Sequence, residues 1–367
     1  MKKKTLSLIM SATILAAIAT GCGKPAATEV TSDTSVEETP ATTDAAETPE
    51  TTEAATVQDT EEQDENAVSS ENEDTIMDRN GNMITLPEKT ETIVSMSPST
   101  TQILIDFGLG ESIKAVDTYS AMSFSDELPA DILQFDMMEP DNEALVALEP
   151  DIVFTSGMSD AGGVDAFQSV RDAGICVADI PSSTSFAEIA EDMKFIGSAV
   201  GEDVEAAALI EEFNNKHEMV EKLGKDVTEK KKILFMISLP SAEYPSIYTF
   251  GKGTYLDEMI TDIGAENVTG DQEGWISITE EEAIAMNPDV IITNIDYIDD
   301  VVNVIKSTEG WGEVNAIKND AVYYIDATTS NQPNNHTVDA LIQMAKLVYP
   351  DVFDVFEDPF ASPSDAE

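Results

Sequence analysis

The sequence predicts an α/β protein, with two Rossmann-like lobes joined by one long bridging helix. Three observations predict it. From Thr75 onward, short apolar runs alternate with segments of helical period. The stretch Glu143 to Phe154 recurs without a gap as Glu281 to Ile292, with Glu, Ala, Pro and Asp coinciding. Between the two copies lies mostly helical sequence.

Each element follows from local chemistry. Ile93 to Met96 is an apolar strand, Ser97 offers an N-cap and Pro98 suits the first helical position. That helix runs from Ser99 to Phe107 and stops at Gly108. Ile113 to Val116 is the next strand. Ala144 to Leu148 is a short helix broken by Pro150, and Asp151 to Phe154 is a strand. Asp165 to Ala173 reads as helix, with Arg171 facing solvent, and Ile175 to Ile180 as strand. Ser185 and Glu188 form a capping box that opens a helix to Val200, where Gly201 breaks it. Asp203 to Leu223 is the long helix, with Phe213, Val220 and Leu223 on helical spacing and His217 on its surface. Lys230 to Lys232 lead into the strand Ile233 to Ile237. Asp106-Phe107-Gly108 and Asp262-Ile263-Gly264 end one helix in each half.

Before the folded part, Lys2 to Lys4 and the uncharged run Thr5 to Thr20 make a secretory signal over residues 1–21. Small residues directly before Cys22 resemble a bacterial lipobox, so Cys22 is expected to carry a lipid anchor. Residues 22–75 read as an acidic, disordered tether with an end-to-end reach of roughly 40 Å. The lobes are expected at 76–183 and 227–357, the helical connection at 184–226 and a disordered tail at 358–367.

The 367 residues are 42% hydrophobic and carry a formal net charge of −53. Such a surface repels phosphate backbones and excludes nucleic-acid binding. The chain has two His and two Cys, so a His-rich metal centre, most His-based catalysis and a disulfide framework are excluded. Cys176 is expected to be a buried, inert thiol. No enzyme activity is expected.

Five stretches in order resemble the periplasmic-binding family that serves importers of iron complexes and cobalamin. They are Thr92–Gly110, Glu143–Phe154, Tyr248–Asn267, Trp275–Asp289 and Tyr349–Phe353. The resemblance implies a ligand cleft between the lobes and binding without chemistry or an intrinsic cofactor. It implies a monomer on the extracytoplasmic face of the membrane, whose partners are an ABC permease dimer with its ATPase subunits. Tyr119, Met137, Met138, Met158, Tyr248 and Trp275 fall on loops that border the ligand in that family. His336 is a candidate axial ligand to a haem iron or corrinoid cobalt. Glu143 and Glu281, at matching positions in first helical turns, are candidates to dock the permease.

The only arginines are Arg79 and Arg171. Anionic ferric complexes need clustered cationic side chains, so a corrinoid, haem or neutral siderophore fits better, with a corrinoid favoured. A surface sensory module of the same fold, without a transporter, is the other reading of the resemblance.

Overall fold

The computed structural model describes residues 75–156 and 165–361. The expected signal, Cys22, the tether to residue 74, Met158 and residues 362–367 lie outside the described residues.

The first lobe opens with a hairpin of β1 (Thr75–Met77) and β2 (Met83–Thr85). There follow β3 (Ile93–Ser95), α1 (Pro98–Asp106), β4 (Ile113–Asp117), α2 (Thr118–Ser123), β5 (Leu133–Phe135) and α3 (Asn142–Ala147). The lobe closes with β6 (Ile152–Ser156), α4 (Gln168–Asp172) and β7 (Cys176–Ile180). The sheet is parallel throughout, in the order β5-β4-β3-β6-β7. Its central strands β3 and β6 are buried on both faces, as in parallel sheets covered by helices.

The connection is a hairpin of two helices, α5 (Phe186–Val200) and α6 (Asp203–Gly224). The long helix therefore does not cross alone. Phe186 stacks on Phe213 with ring centroids 5.3 Å apart, and at the other end Gly197 abuts Ala206, so the pair is antiparallel. Gly201 turns the corner at φ 79°. One apolar core runs from Ile93 and Phe154 through Phe186, Ile196 and Phe213 into Ile233 and Leu341. This shared core makes the connection stiff.

The second lobe holds β8 (Lys232–Met236), β9 (Ile247–Phe250), α7 (Tyr255–Asp262), β10 (Glu266–Asn267), β11 (Trp275–Ile278) and α8 (Glu280–Met286). It continues with β12 (Val290–Thr293), α9 (Val301–Lys306), α10 (Asn315–Lys318), β13 (Val322–Tyr324), α11 (Ala327–Asn331) and α12 (Thr337–Val348). Its parallel sheet has the order β10-β8-β12-β13, and β9 and β11 form a separate antiparallel ribbon.

The repeated motif has the same geometry twice. Glu149 and Asn287 both take left-handed φ, 48° and 47°, directly before Pro150 and Pro288. Asp151 then accepts from the backbone N–H of Glu91 and Thr92, and Asp289 from that of Lys232. Each aspartate thereby ties a new strand to the strand it pairs with, β6 to β3 and β12 to β8.

Several local expectations need correction. Ser97 has cap geometry, but its side chain makes no cap bond. Ser185 caps α5 through the Glu188 N–H, whereas the Glu188 carboxylate takes Thr184 instead. Arg171 does not face solvent: it bonds Asp165, Asp179 and the Val177 carbonyl. His217 is not a surface residue but stacks on Phe186 and bonds Asp262 at 2.7 Å. Cys176 is partly buried, and burial pushes its thiol up to about 11.

Candidate functional site

In open parallel sheets, ligands bind beyond the carboxyl ends of the strands. Those ends meet here. α2, which follows β4, ends at Ser123, and Ser123 Oγ accepts from Gln332 Nε2 at 3.3 Å. Gln332 follows β13 and α11 in the other lobe. The segments after β4 and β13 therefore meet between the lobes.

Asp117, at the end of β4, positions the first-lobe wall. It is fully buried, and its carboxylate accepts from the N–H groups of Tyr119 and Ser120 and from the Ser120 hydroxyl. Burial raises its pKa against those hydrogen bonds. The result is a fixed first turn of α2 that leaves Tyr119 55% exposed. Met122 on the same helix is also exposed, and no sequence pattern singles it out.

After β5, neighbouring methionines diverge. Asp136 accepts from the N–H groups of Met138 and Glu139, which turns the chain. Met138 is 42% exposed, but Met137 is 8% exposed and packs among Val94, Leu145 and Phe167. The expected cleft role of Met137 is therefore corrected to core packing.

The second-lobe wall is the β9–β11 ribbon. The Ile237 N–H, one residue beyond β8, donates to the Tyr248 carbonyl at 2.9 Å, so the ribbon sits at the carboxyl end of the sheet. Tyr248 and Trp275 stack with centroids 6.0 Å apart, and Trp275 also meets Phe250 edge-on. Trp275 remains 49% exposed. Tyr297, after β12, and Tyr324, at the end of β13, add exposed phenols; burial raises the pKa of both. Reading sequence for chelate loops missed them, although aromatics at strand ends were the available signal.

His336 is not free for a metal. It is the N-cap residue of α12, and its Nε2 lies 3.0 Å from Asp106 of the first lobe while Nδ1 lies 3.2 Å from Asp339. Hydrogen bonds to Asp106 and Asp339 push its pKa up to about 9, so the ring is a cation at neutral pH. The axial-ligand expectation is corrected to an interlobe ion pair beside α6, where Lys216 joins Asp339.

Both arginines are consumed internally. Arg79 binds Glu191 and Asp192, and Arg171 binds Asp165 and Asp179. Glu143 and Glu281 are both exposed in the first turns of α3 and α8. α8 adds a capping box of Thr279 and Glu282.

Residues 93–329 match the family described as periplasmic binding protein. An uncharacterised ABC transporter substrate-binding lipoprotein, YvrC, from Bacillus subtilis is 30% identical over 76% of this chain and 86% of its own length. A vitamin B12-binding protein from Vibrio cholerae is 24% identical over 71% of this chain and 90% of its own. The molybdate-bound MolA structure from Haemophilus influenzae superposes with a TM-score of 0.66 at 19% identity, covering 77% of this chain and 93% of that one.

Proposed function

The chain belongs to the periplasmic binding protein family, and on that premise we propose that it captures a metal chelate, a corrinoid before a haem or neutral ferric siderophore. It delivers that cargo to the permease and ATPase subunits of an ABC importer. The observation that carries the ligand class is the chemistry of the two walls. Tyr119 and Met138 stand on one lobe, and stacked Tyr248 and Trp275 on the other. Flat apolar faces with scattered hydroxyls suit a large macrocycle.

Charge supports the same choice. Molybdate is the cargo of MolA, yet an oxyanion needs convergent cations or N–H donors. Neither Arg79 nor Arg171 is free to supply them. The relative that binds vitamin B12 agrees with a corrinoid. Anchoring through Cys22 would keep the protein at the extracytoplasmic membrane face, and Cys22→Ala should release it from the membrane fraction.

The test is incubation of the purified protein with cobalamin, haemin and ferric siderophores, followed by gel filtration and visible spectroscopy. The corrinoid spectrum should co-elute with the protein at near-unit stoichiometry. Co-elution of none of the chelates, with tight binding of molybdate instead, would overturn the proposal.

A further inference from the structure

His217, Glu258 and Asp262 form a cluster outside the cleft. His217 comes from α6, while Glu258 and Asp262 stand four residues apart on one face of α7. One ligand atom from each residue lies within 4.8 Å of the others. The geometry points to a zinc-class divalent cation site that ties the connecting helices to the second lobe.

The donor chemistry fits. A neutral imidazole and two carboxylates are ordinary zinc ligands, at about 2.0–2.2 Å from the ion. Tetrahedral ligands at that range lie about 3.3 Å apart, so His217 and Asp262 would part slightly from 2.7 Å as the cation replaces the proton between them. A dication with two carboxylates closes the local charge. Without it, one His faces two acids.

The side chains are already oriented. The imidazole lies flat on Phe186, with centroids 4.2 Å apart and an interplanar angle of 15°. The Phe186 N–H donates to one Glu258 oxygen at 2.8 Å and holds that carboxylate in place. Supports of this kind tune a site as much as the ligands themselves. The His217 and Asp262 side chains keep 17% and 14% exposure, which leaves an approach for the ion and a water as fourth ligand. Asp106 occupies the equivalent helix end in the first lobe, but it faces His336 Nε2 and Asn335, while the second carboxylate there, Asp339, meets the opposite ring nitrogen of His336.

The proposal is independent of the cleft's cargo. Its test uses the full chain, stripped with a chelator and kept in excess calcium to occupy diffuse acidic sites. Zn²⁺ is titrated by calorimetry, and Co²⁺ by its visible absorption. One equivalent should bind, and the melting temperature should rise. His217→Gln and Asp262→Asn should each weaken Zn²⁺ at least tenfold and remove the Co²⁺ spectrum, with His336→Gln unchanged. Circular dichroism checks that the variants fold, and retention of the site in whichever of the two folds overturns the proposal. Absence of a saturable site in the parent chain, or its loss in His336→Gln, does so as well.

Discussion

Both lobes end a helix on Asp-x-Gly, and the two ends differ in what surrounds them. Gly108 and Gly264 take nearly the same φ, 79° and 80°. Around Gly108 a Cβ would meet nothing within 4 Å, and Asp106 beside it reaches His336 across the lobes. Around Gly264 a Cβ would strike the Gly224 carbonyl and approach Val227 Cβ to 2.8 Å. Asp262 turns instead to His217 of the connection. The need for left-handed backbone is local and common to both, whereas the further penalty at Gly264 is tertiary. The connecting hairpin is pressed onto the second lobe at Gly224, where backbone meets backbone.

That comparison breaks most readily with alanine. Gly108→Ala should cost about 1 kcal/mol, the strain of a left-handed non-glycine residue. Gly264→Ala adds overpacking and should cost about 3 kcal/mol. Urea denaturation of both variants measures the gap. Equal losses would mean that the connection yields at Gly224, contrary to close packing there.

The cleft walls differ in the same manner. Tyr248 and Trp275 brace each other on paired strands, while Tyr119 stands alone on a short helix. Trp275→Ala should therefore weaken corrinoid binding by about 1–3 kcal/mol, as for loss of a central aromatic anchor. Tyr119→Ala should lose less than that. Titration by absorbance decides, and a larger loss at Tyr119 would shift the main anchor to the first lobe.

Much of this asymmetry was hidden from sequence for a physical reason. Strands, helix ends and the repeated Glu-to-Asp motif depend on near neighbours, and they were legible down to Pro150 and Pro288. Partners on another element were not. Arg171 looks exposed on its own helix, yet Asp179 on the next strand, β7, turns back to meet it. His217 and His336 each found an aspartate that periodicity could not assign. Met137 and Met138 are alike in composition, and only the turn at Asp136 sends one inward and the other outward.

The His336 contact also makes stability depend on pH. Hydrogen bonds to Asp106 and Asp339 raise the folded pKa of His336 from 6.5 to about 9. A raised folded pKa means that folding binds the proton. The stabilisation is full below about 6.5 and is lost as pH rises through about 9. Thermal melts from pH 6 to 10 should show a decline that disappears in His336→Gln. A parent curve identical to the variant's would remove the ion pair from the stability of the lobe contact.

The smallest expected effect lies on the repeated motif itself. Glu143 and Glu281 stand at equivalent first-turn positions of α3 and α8, exposed and seven residues before their prolines. Acids there also suit helix dipoles, and removing them should cost only about 0.3–1 kcal/mol per site. The flanking caps differ: Asp141 alone caps α3, while Thr279 and Glu282 box α8. Pure helix-end electrostatics therefore predicts a larger stability loss for Glu143→Ala than for Glu281→Ala, with uptake normal. Docking predicts the opposite emphasis. Two carboxylates held by a stiff connection would meet paired arginines of a permease, and each contact would fix orientation. Under that reading the two single variants lose uptake alike, the double variant loses it further, and cargo affinity is unchanged. Uptake assays and melts on the same three variants separate the cases, and undiminished uptake in the double variant would leave the carboxylates with their helices alone.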